Sequence, residues 1–275
     1  MGVLVMPNII ITGASDGIGA EIARQLPRRH GLQALLVLAA RNTSGLQSVA
    51  AECKALGART LIMPTDVTDE AQCRHLIETT VRECGSLDIL VNNAGVSAHA
   101  LLADVPSDKI GWYHDLMQVN LWGSVYCTHA ALPYLKESHG RIVAVSSLAG
   151  LVGVPGRTAY SASKFAMTGF FEALRSELHG SGVSVTIAYP GVVATRIRLN
   201  GLNAQGEKAG LSGLKETGAM SVHECARLIV DGMVRRRRDV VMTAQGKVGR
   251  WLKLLFPAWV DRLAMAAVKP DFRPK

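Results

Sequence analysis

ITGASDGIG, residues 11–19, joins a short apolar run, NIIIT (Asn8–Thr12), to a helical pattern. Gly13, Gly17 and Gly19 each remove a β-carbon where the backbone must turn sharply or approach a ligand closely. Free N–H groups at the start of a helix bind a pyrophosphate well. The junction therefore predicts a first strand, a dinucleotide-binding turn and a first helix. A tight turn that binds no ligand is the alternative.

The same alternation of short apolar runs and longer helical patterns continues along the chain. Further runs lie at Ala34–Ala40, Thr60–Pro64, Leu87–Asn93, Gly140–Ser147, Ser184–Pro190 and Asp239–Thr243. They are too short for helices and do not alternate strictly between apolar and polar residues, which is typical of parallel strands buried on both faces. We therefore predict an α/β fold: a single-domain, doubly wound, Rossmann-type parallel sheet of about seven strands.

The two ends of the chain differ in charge. Residues 1–226 hold 18 Lys and Arg against 18 Asp and Glu, whereas residues 227–275 hold 12 against 4, so the net charge of +8 comes entirely from the latter. The tetrad Arg235–Arg238 closes a helical pattern that begins near Ser221, and cations are favourable at a helix C-terminus, which predicts a solvated helix end. We predict no nucleic-acid site, because no aromatic or base-reading residues are interleaved with the tetrad.

The last part of the chain is basic and amphipathic. We divide the chain into a catalytic domain, residues 1–246, and a helical C-terminal extension, residues 247–275. Within residues 250–269 large apolar residues recur about every four positions, and Pro257 predicts two short helices rather than one. Two interpretations are open. Either the apolar face packs on the domain and covers one side of a substrate pocket, or it lies in a membrane surface with its cations on anionic lipid.

The N-terminus and the cysteines bear on where the protein resides. Residues 1–11 lack a basic start and a cleavage site and are predicted to begin the first strand rather than to form a signal peptide. Met6 stands where a myristoylation motif requires Ser or Thr. The five cysteines are scattered without a CxxC pair, and no two histidines have metal-ligand spacing. We therefore predict reduced thiols, no metal and a cytoplasmic location.

The end of the second apolar run bears on the choice of cofactor. A carboxylate about 20 residues after the glycine turn would bind the ribose 2′-hydroxyl of NAD, whereas an arginine there suits the 2′-phosphate of NADP. Ala40 occupies the position of the acid, and Arg41 follows it. The charge of Asp16, in the glycine turn, opposes this preference. We predict NADP(H) rather than NAD(H).

The TGxxxGxG spacing of the glycine turn and six later motifs, over about residues 8–243, resemble the short-chain dehydrogenase/reductase family. The later motifs are DV at 66–67, NNAG at 92–95, QVNLWG at 118–123, VSSLAG at 145–150, YSASK at 160–164 and PGVVAT at 190–195. Each falls at the end of a predicted strand or on a predicted helix, in the order that the family has them.

The resemblance implies four catalytic residues, Asn120, Ser147, Tyr160 and Lys164. Tyr160 would exchange a proton with the substrate oxygen, and because a tyrosine ordinarily has a pKa of about 10, a neighbouring cation must promote its ionisation. Residues four apart share one helix face, so Lys164 would promote that ionisation and bind the nicotinamide ribose. Ser147, 13 residues before Tyr160, would orient the substrate oxygen. Asn120 would hold a relay water; alternatively, it is a buried polar group that bonds the fourth strand.

The matched motifs also imply the cofactor contacts. The residues expected to bind the dinucleotide are Gly13, Ser15, Asp16, Gly17, Ile18, Gly19, Arg41, Asn42, Asp66, Val67, Asn93, Ala94, Gly95, Tyr160, Lys164, Pro190, Gly191, Val193 and Thr195. For Thr195 a helix cap is the alternative role. Ser146, next to Ser147, is expected to belong to the strand end.

By the same resemblance, the protein is an oxidoreductase that transfers a hydride between NADP(H) and a carbonyl/alcohol substrate. The chain is most similar to the branch with hydroxysteroid and other lipid dehydrogenases, which implies a lipophilic substrate, and its specificity loop falls at about residues 197–220. The family usually pairs through two helices, here about Trp112–Lys136 and Thr158–His179, which implies a homodimer or homotetramer. The alternatives are a non-catalytic dinucleotide-binding sensor and a membrane-surface adaptor that uses residues 250–269.

Overall fold

The computed structural model describes residues 7–30 and 34–272. The expectation for residues 1–6, the start of the predicted first strand, lies outside them. Within the described residues the chain forms a seven-stranded parallel sheet in the order β3-β2-β1-β4-β5-β6-β7, which confirms the predicted fold. The strands are Asn8–Thr12 (β1), Leu35–Ala40 (β2), Arg59–Pro64 (β3), Ile89–Asn92 (β4), Arg141–Val145 (β5), Ser184–Tyr189 (β6) and Asp239–Val241 (β7).

Helices cover both faces of this sheet. The α-helices of the described residues are Gly17–His30 (α1), Thr43–Ala55 (α2), Glu70–Cys84 (α3), Trp112–Met117 (α4), Gly123–Glu137 (α5), Thr158–Glu177 (α6), Val222–Val234 (α7), Ala244–Leu255 (α8) and Pro257–Ala266 (α9). One apolar core lies between the sheet and α1, α2 and α7, and a second lies between the sheet and α3, α5 and α6.

Successive residues of one strand serve opposite cores. Ile9 and Ile11 lie in the core beneath α1, α2 and α7, whereas Ile10 lies in the core beneath α3, α5 and α6, and all three are fully buried. Because side chains alternate between the two faces of a strand, a sheet covered on both faces requires a continuous apolar run. This is the physical reason for the runs that lack alternation in the sequence.

The order of the strands reverses at β1, which pairs with β2 on one side and with β4 on the other. Thr12 ties the ends of β1 and β4 together, since its Oγ1 donates to the carbonyl of Val91 at 3.2 Å. The same oxygen accepts hydrogen bonds from the backbone N–H groups of Asn93 and Ala94 at 3.0 and 3.1 Å. Ligands of open α/β sheets bind in the crevice at such a reversal, and the glycine turn and the NNAG loop meet there.

The helix predicted at about residues 112–136 is interrupted. It consists of α4 and α5, joined by a π-helical turn at Gln118–Trp122 with Asn120 at its centre. Asn120 is fully buried, and a π-turn accommodates one extra residue in a helix, often at a functional position. The helix predicted at residues 158–179 is observed as α6.

The four arginines of the tetrad are exposed at the end of α7, as predicted for a solvated helix end, and one of them also bonds backbone carbonyls of the domain. α7 ends at Val234, and Arg236 has a left-handed backbone with φ of 50°. Its guanidinium donates to the carbonyl of His139 at 2.6 Å and to that of Gly182 at 2.7 Å. These carbonyls precede β5 and β6, so Arg236 joins the loop after α7 to the opposite edge of the sheet from the cleft described below.

The C-terminal extension forms two helices, as Pro257 predicts, with that proline as the first residue of α9. The predicted domain boundary, between residues 246 and 247, falls inside α8. Seven large apolar side chains are between 57% and 74% exposed; they are Val248, Trp251, Leu254, Leu255, Phe256, Trp259 and Leu263. None of the helices in the described part of the chain combines the length and the apolarity that crossing a bilayer requires.

After α9 the chain returns to the domain. Val268 is fully buried and pairs with Leu214 in an isolated β-bridge. The backbone N–H of Lys269 donates to the carbonyl of Gly213 at 2.9 Å. The far end of the extension is therefore fixed to the predicted specificity loop.

Candidate active site

A cleft of about 560 Å³ opens at the carboxyl ends of β1, β4, β5 and β6. It brings together every predicted site residue except Gly19 and Asn120. The predicted residues that line it are Gly13, Ser15, Asp16, Gly17, Ile18, Arg41, Asn42, Asp66, Val67, Asn93, Ala94, Gly95, Ser147, Tyr160, Lys164, Pro190, Gly191, Val193 and Thr195.

The glycine turn is closed by backbone on one side and open to the cleft on the other. Gly13 has φ of 66°, and a β-carbon there would lie 2.9 Å from the Cα of Ala94. Gly17, with φ of 56°, begins α1, and the atom nearest to a β-carbon there would be 3.6 Å away. The first turn of α1 carries no acidic residue, so its N–H groups and dipole favour an anion. These features fit the pyrophosphate of a dinucleotide.

Gly19 packs against the glycine turn and does not line the cleft. A β-carbon there would lie 2.4 Å from the carbonyl oxygen of Gly13 and from Nδ2 of Asn93. The same Nδ2 donates to the carbonyl of Thr12 at 2.9 Å. Gly19 therefore shapes the site by letting α1 lie against the turn, without reaching the cleft itself.

Two ion pairs lie at the end of the cleft nearest β2. Nη1 of Arg41 is 3.8 Å from Oδ2 of Asp66, and the Arg41 side chain is 67% exposed. Oδ2 of Asp16 is 2.9 Å from Nη2 of Arg196, so the carboxylate expected to oppose a phosphate has a cation beside it. Asn42 caps α2 by accepting a backbone N–H at 3.1 Å.

Tyr160 and Lys164 lie on the buried face of α6, with exposed fractions of 7% and 4%. Nζ of Lys164 donates to the carbonyl of Val145, at the end of β5, at 2.9 Å. It lies 5.9 Å from the centroid of the Tyr160 ring. Burial lowers the pKa of Lys164 from its ordinary value; negative charge on Tyr160 counteracts this, and the positive charge of Arg157 adds to it. The four-residue spacing thus brings a phenol and an ammonium to one wall of the cleft.

The two serines that follow β5 have different partners. Oγ of Ser146 donates to the carbonyl of Lys164 at 3.2 Å and lies 3.2 Å from Oγ1 of Thr168, which ties the strand end to α6 as expected. Oγ of Ser147 accepts the backbone N–H of Ala149 at 3.1 Å. Among the described residues no acceptor takes the hydroxyl proton of Ser147, so that proton is free to bond a substrate oxygen.

The side chain of Asn120 lies behind the cleft with both ends of its amide bonded. Oδ1 accepts the N–H of Val96 at 2.8 Å, and Nδ2 donates to the carbonyl of Val96 at 3.0 Å and to Oγ of Ser163 at 2.9 Å. These contacts match the alternative in which Asn120 is a buried group that bonds the loop after the fourth strand.

Sequence reasoning missed two arginines in the cleft wall. Arg196 pairs with Asp16 across 180 positions of the chain, and no local pattern indicates such a pair. Arg157 immediately precedes α6, is 8% exposed and lies beside Tyr160. The only signal for Arg157 was a charge without an evident role three residues before the tyrosine.

The segment after Thr195 forms turns, so Thr195 has no helix to cap. Ile197, Arg198 and Asn200 bring part of the specificity loop to the cleft, whose walls come from residues 13–200 of the described chain. The C-terminal extension contributes no described lining residue. Most of its large apolar side chains are exposed, whereas Val260 and Val268 are buried. The described residues of α8 and α9 therefore do not line this cleft, and the interpretation in which they cover one side of a substrate pocket stays a prediction.

A nucleotide cradle at the switch point of a Rossmann-type sheet, facing a paired phenol and ammonium, defines a class of dinucleotide-dependent oxidoreductases. The chain belongs to the short-chain dehydrogenase family, whose model matches residues 7–205. This confirms the predicted family, and with it oxidoreductase activity that uses NAD(P).

The chain is similar to named hydroxysteroid dehydrogenases. It is 36% identical to 11-beta-hydroxysteroid dehydrogenase A of Sesamum indicum over 268 residues, which cover 94% of this chain and 75% of that protein. It is 37% identical to 11-beta-hydroxysteroid dehydrogenase-like 4A of Arabidopsis thaliana, covering 90% and 80% of the two chains. A dehydrogenase/reductase SDR family protein 7-like of Dictyostelium discoideum is 33% identical, covering 93% and 79%.

Two solved structures match the fold at lower identity. A short-chain dehydrogenase/reductase of Burkholderia phymatum in complex with NAD superimposes with a TM-score of 0.79 at 23% identity, covering 94% of this chain and 96% of that one. An alcohol dehydrogenase of Thermococcus sibiricus complexed with 5-hydroxy-NADP gives 0.72 at 23% identity, covering 86% and 96%. These neighbours share the fold of most of the chain, and one carries NAD while the other carries an NADP derivative.

Proposed function

We propose that the protein transfers a hydride between NADP(H) and a lipophilic carbonyl/alcohol substrate, steroid-like or a keto-lipid. The observation that carries this proposal is the convergence of Ser147, Tyr160 and Lys164 on a cleft that also holds the glycine turn. The names of the similar plant proteins support the steroid-like substrate class.

In the proposed mechanism a nicotinamide held in the cleft would supply the hydride for reduction of the carbonyl carbon. Ser147 donates a hydrogen bond that orients the carbonyl oxygen, and Tyr160 gives that oxygen its proton. Lys164, held by the carbonyl of Val145, favours the ionised phenol and binds the ribose hydroxyls. In alcohol oxidation the same residues act in reverse, so Tyr160 must be ionised before it accepts the proton.

The preference for NADP(H) is supported by charge at the end of the cleft beside β2. Arg41 offers an exposed guanidinium, which suits a phosphate in the bidentate manner of arginine. Asp16 is paired with Arg196, so its opposition to a phosphate is reduced. The cysteines, all unpaired in the described chain, fit the cytoplasmic location that we propose.

A spectrophotometric assay of NADPH oxidation tests the proposed function against a non-catalytic sensor. The panel comprises steroids, long-chain 3-keto lipids and aromatic ketones, with NADH as the second cofactor. We expect turnover with lipophilic ketones and NADPH. Tight NADPH binding without turnover on any member of the panel would favour the sensor.

We further propose that the protein is a homodimer or homotetramer that pairs through α5, α6 and the π-helical turn. Trp122 and Phe165 project from these elements with exposed fractions of 43% and 36%, and the Trp122 ring stacks on that of Tyr126 at 5.8 Å. We expect at least a dimer by light scattering at micromolar concentration and a shift to monomer in Trp122→Glu. Trp251→Glu, at an exposed tryptophan of α8, is the matched control. A monomeric native protein would refute the pairing.

The exposed apolar face of α8 and α9 favours a second role, contact with a membrane surface. Its tryptophans could lie at headgroup depth, with Lys247 and Arg262 facing anionic lipid. Two other cations of the extension bond the domain instead, since Arg250 lies 3.5 Å from Asp239 and Lys253 donates to the carbonyl of Leu151 at 3.2 Å. Such contact would bring the enzyme to a substrate dissolved in the membrane.

Vesicle co-sedimentation measures this contact. We expect the full chain to bind vesicles that contain phosphatidylserine at low salt, and to lose most of that binding at high salt because exposed charge pairs are screened. Trp251→Ser combined with Trp259→Ser should abolish binding, whereas Trp122→Ser should not. A native protein that ignores anionic vesicles at low salt would eliminate the membrane role.

A further inference from the structure

Arg157 is a buried cation to which the described part of the chain offers no anionic partner. It is 8% exposed, and no carboxylate of residues 7–30 or 34–272 lies within ion-pairing distance of its guanidinium. Burial lowers the pKa of this guanidinium from its ordinary value. A buried charge is costly unless another group compensates it. We therefore expect a negative charge to face Arg157 at some stage of the reaction.

The hydrogen bonds of Arg157 fix its plane without neutralising it. Nε donates to the carbonyl of Ala98 at 3.2 Å, and Nη2 donates to Oγ of Ser97 at 2.5 Å. Both acceptors are uncharged and lie on the loop after β4. The guanidinium is therefore held rigidly, and its charge remains available to a neighbour.

That neighbour is the ring of Tyr160. Cζ of Arg157 lies 4.0 Å from the ring centroid, closer than Nζ of Lys164 at 5.9 Å. A cation over an aromatic face is attracted to it, and the attraction grows when the ring carries a negative charge in a site of low dielectric constant. The phenol thus has two cations, one over its face and one on the next turn of α6.

We propose that Arg157 is a positioning residue that holds the Tyr160 ring and stabilises the phenolate left when Tyr160 gives its proton to the substrate oxygen. This rests on the proposed function, in which Tyr160 is the acid. The hydride reduces the substrate carbon, the phenol proton neutralises the oxygen, and the negative charge that stays on the phenol is the missing partner of Arg157.

The other titratable groups near the pair do not supply that negative charge. His99 packs edge-on against Phe272 at 4.9 Å, and burial together with the charge of Arg157 lowers its pKa to about 4, so it is neutral near pH 7. Arg198 is itself a cation, and its Nη2 lies 2.9 Å from Glu216. Arg157 and Lys164 are therefore the charges that the described residues direct at the phenol.

The test is the pH dependence of alcohol oxidation, measured as kcat/KM. This rate rises with pH when a general base must first lose its proton, and a cation beside such a base shifts the midpoint of the rise to lower pH because it favours the anion. Arg157→Met removes the charge at similar length, so we expect the midpoint to move up by about one pH unit. Arg157→Lys keeps the charge, so its midpoint should stay near that of the native enzyme.

Arg82→Met is the matched control, because it removes one positive charge from an exposed position on α3 outside the cleft. Its midpoint should not move. Should Arg157→Met fail to fold, Ser97→Ala loosens the guanidinium while preserving the core, and a smaller shift in the same direction is expected. Thermal melts and NADPH fluorescence titration report folding and cofactor binding for each variant.

A midpoint that stays at the native value in an active, folded Arg157→Met variant would overturn the inference, even if the rate falls equally at every pH. The same holds for Ser97→Ala if it is the variant that folds. A failure of the proposed function is distinguishable, since it would show as retained turnover in a variant that lacks the Tyr160 hydroxyl.

Discussion

Tyr160→Phe is expected to lower turnover about a hundredfold to ten-thousandfold, the usual contribution of a positioned general acid, while NADPH still binds. The substitution removes the hydroxyl and its proton. The ring stays in place, because it packs 4.0 Å beneath the guanidinium of Arg157 and is 7% exposed. Steady-state rates with the best substrate of the ketone panel measure the loss, and fluorescence titration measures NADPH affinity.

The control for this substitution is Tyr113→Phe. Tyr113 is also a phenol near the start of α6, where its hydroxyl lies 2.7 Å from Oγ1 of Thr158, but it does not line the cleft. We expect near-native turnover for that variant. If Tyr160→Phe kept most of the native rate, Tyr160 would not be the acid, and the proposed mechanism would fail.

Arg41→Asp should abolish or reverse the preference for NADPH over NADH. A charge-assisted hydrogen bond contributes about 1.5–3 kcal/mol, which corresponds to roughly tenfold to a hundredfold in affinity for the 2′-phosphate. The new carboxylate would repel that phosphate and could bind the 2′-hydroxyl of NAD instead. The ratio of kcat/KM values for the two cofactors measures the change.

Arg82→Asp provides the matched charge reversal, because Arg82 is 65% exposed on α3 and lies outside the cleft. Its cofactor ratio should equal that of the native enzyme. Equal use of NADPH and NADH by the native protein would contradict the prediction, and would mean that Asp66, 3.8 Å from Arg41, cancels its charge.

The sheet and most of the cleft were predictable because their signals are local. Each strand is a short apolar run, and the motifs that end β1, β4, β5 and β6 need only the strand order to meet at one edge. The conformation of the glycine turn is likewise predictable from its own residues, because Gly13 and Gly17 take positive φ values. Local sequence therefore determined which residues gather at the candidate site.

The contacts that could not be predicted join distant segments. The pair of Asp16 with Arg196, and the bonds that hold Arg157, depend on how loops after different strands approach one another. Asn120 was placed on a regular helix, although its amide bonds the backbone of Val96 and the helix widens into a π-turn around it. Such arrangements follow from tertiary packing, which no local pattern records.

The hydrophobic pattern of the C-terminal helices also did not predict that their apolar face would be exposed. An amphipathic stretch requires a partner for its apolar face but does not identify that partner. The same repeat of large apolar residues would serve packing on the domain or contact with a bilayer, and the structure shows that most of these side chains on α8 and α9 are exposed.

The return of the chain after α9 gives the extension a mechanical property. The segment formed by α8 and α9, here called the strap, is attached to the domain at both ends. It follows β7 at the start of α8, and it contacts the specificity loop through Val268 and Lys269. A force that tilts the strap would be transmitted to Gly213 and Leu214. A deletion from Val248 onward would also remove the tether, so it would disturb the loop regardless of any membrane. Point substitutions on the exposed face are therefore the way to separate docking at a surface from the shape of the substrate entrance.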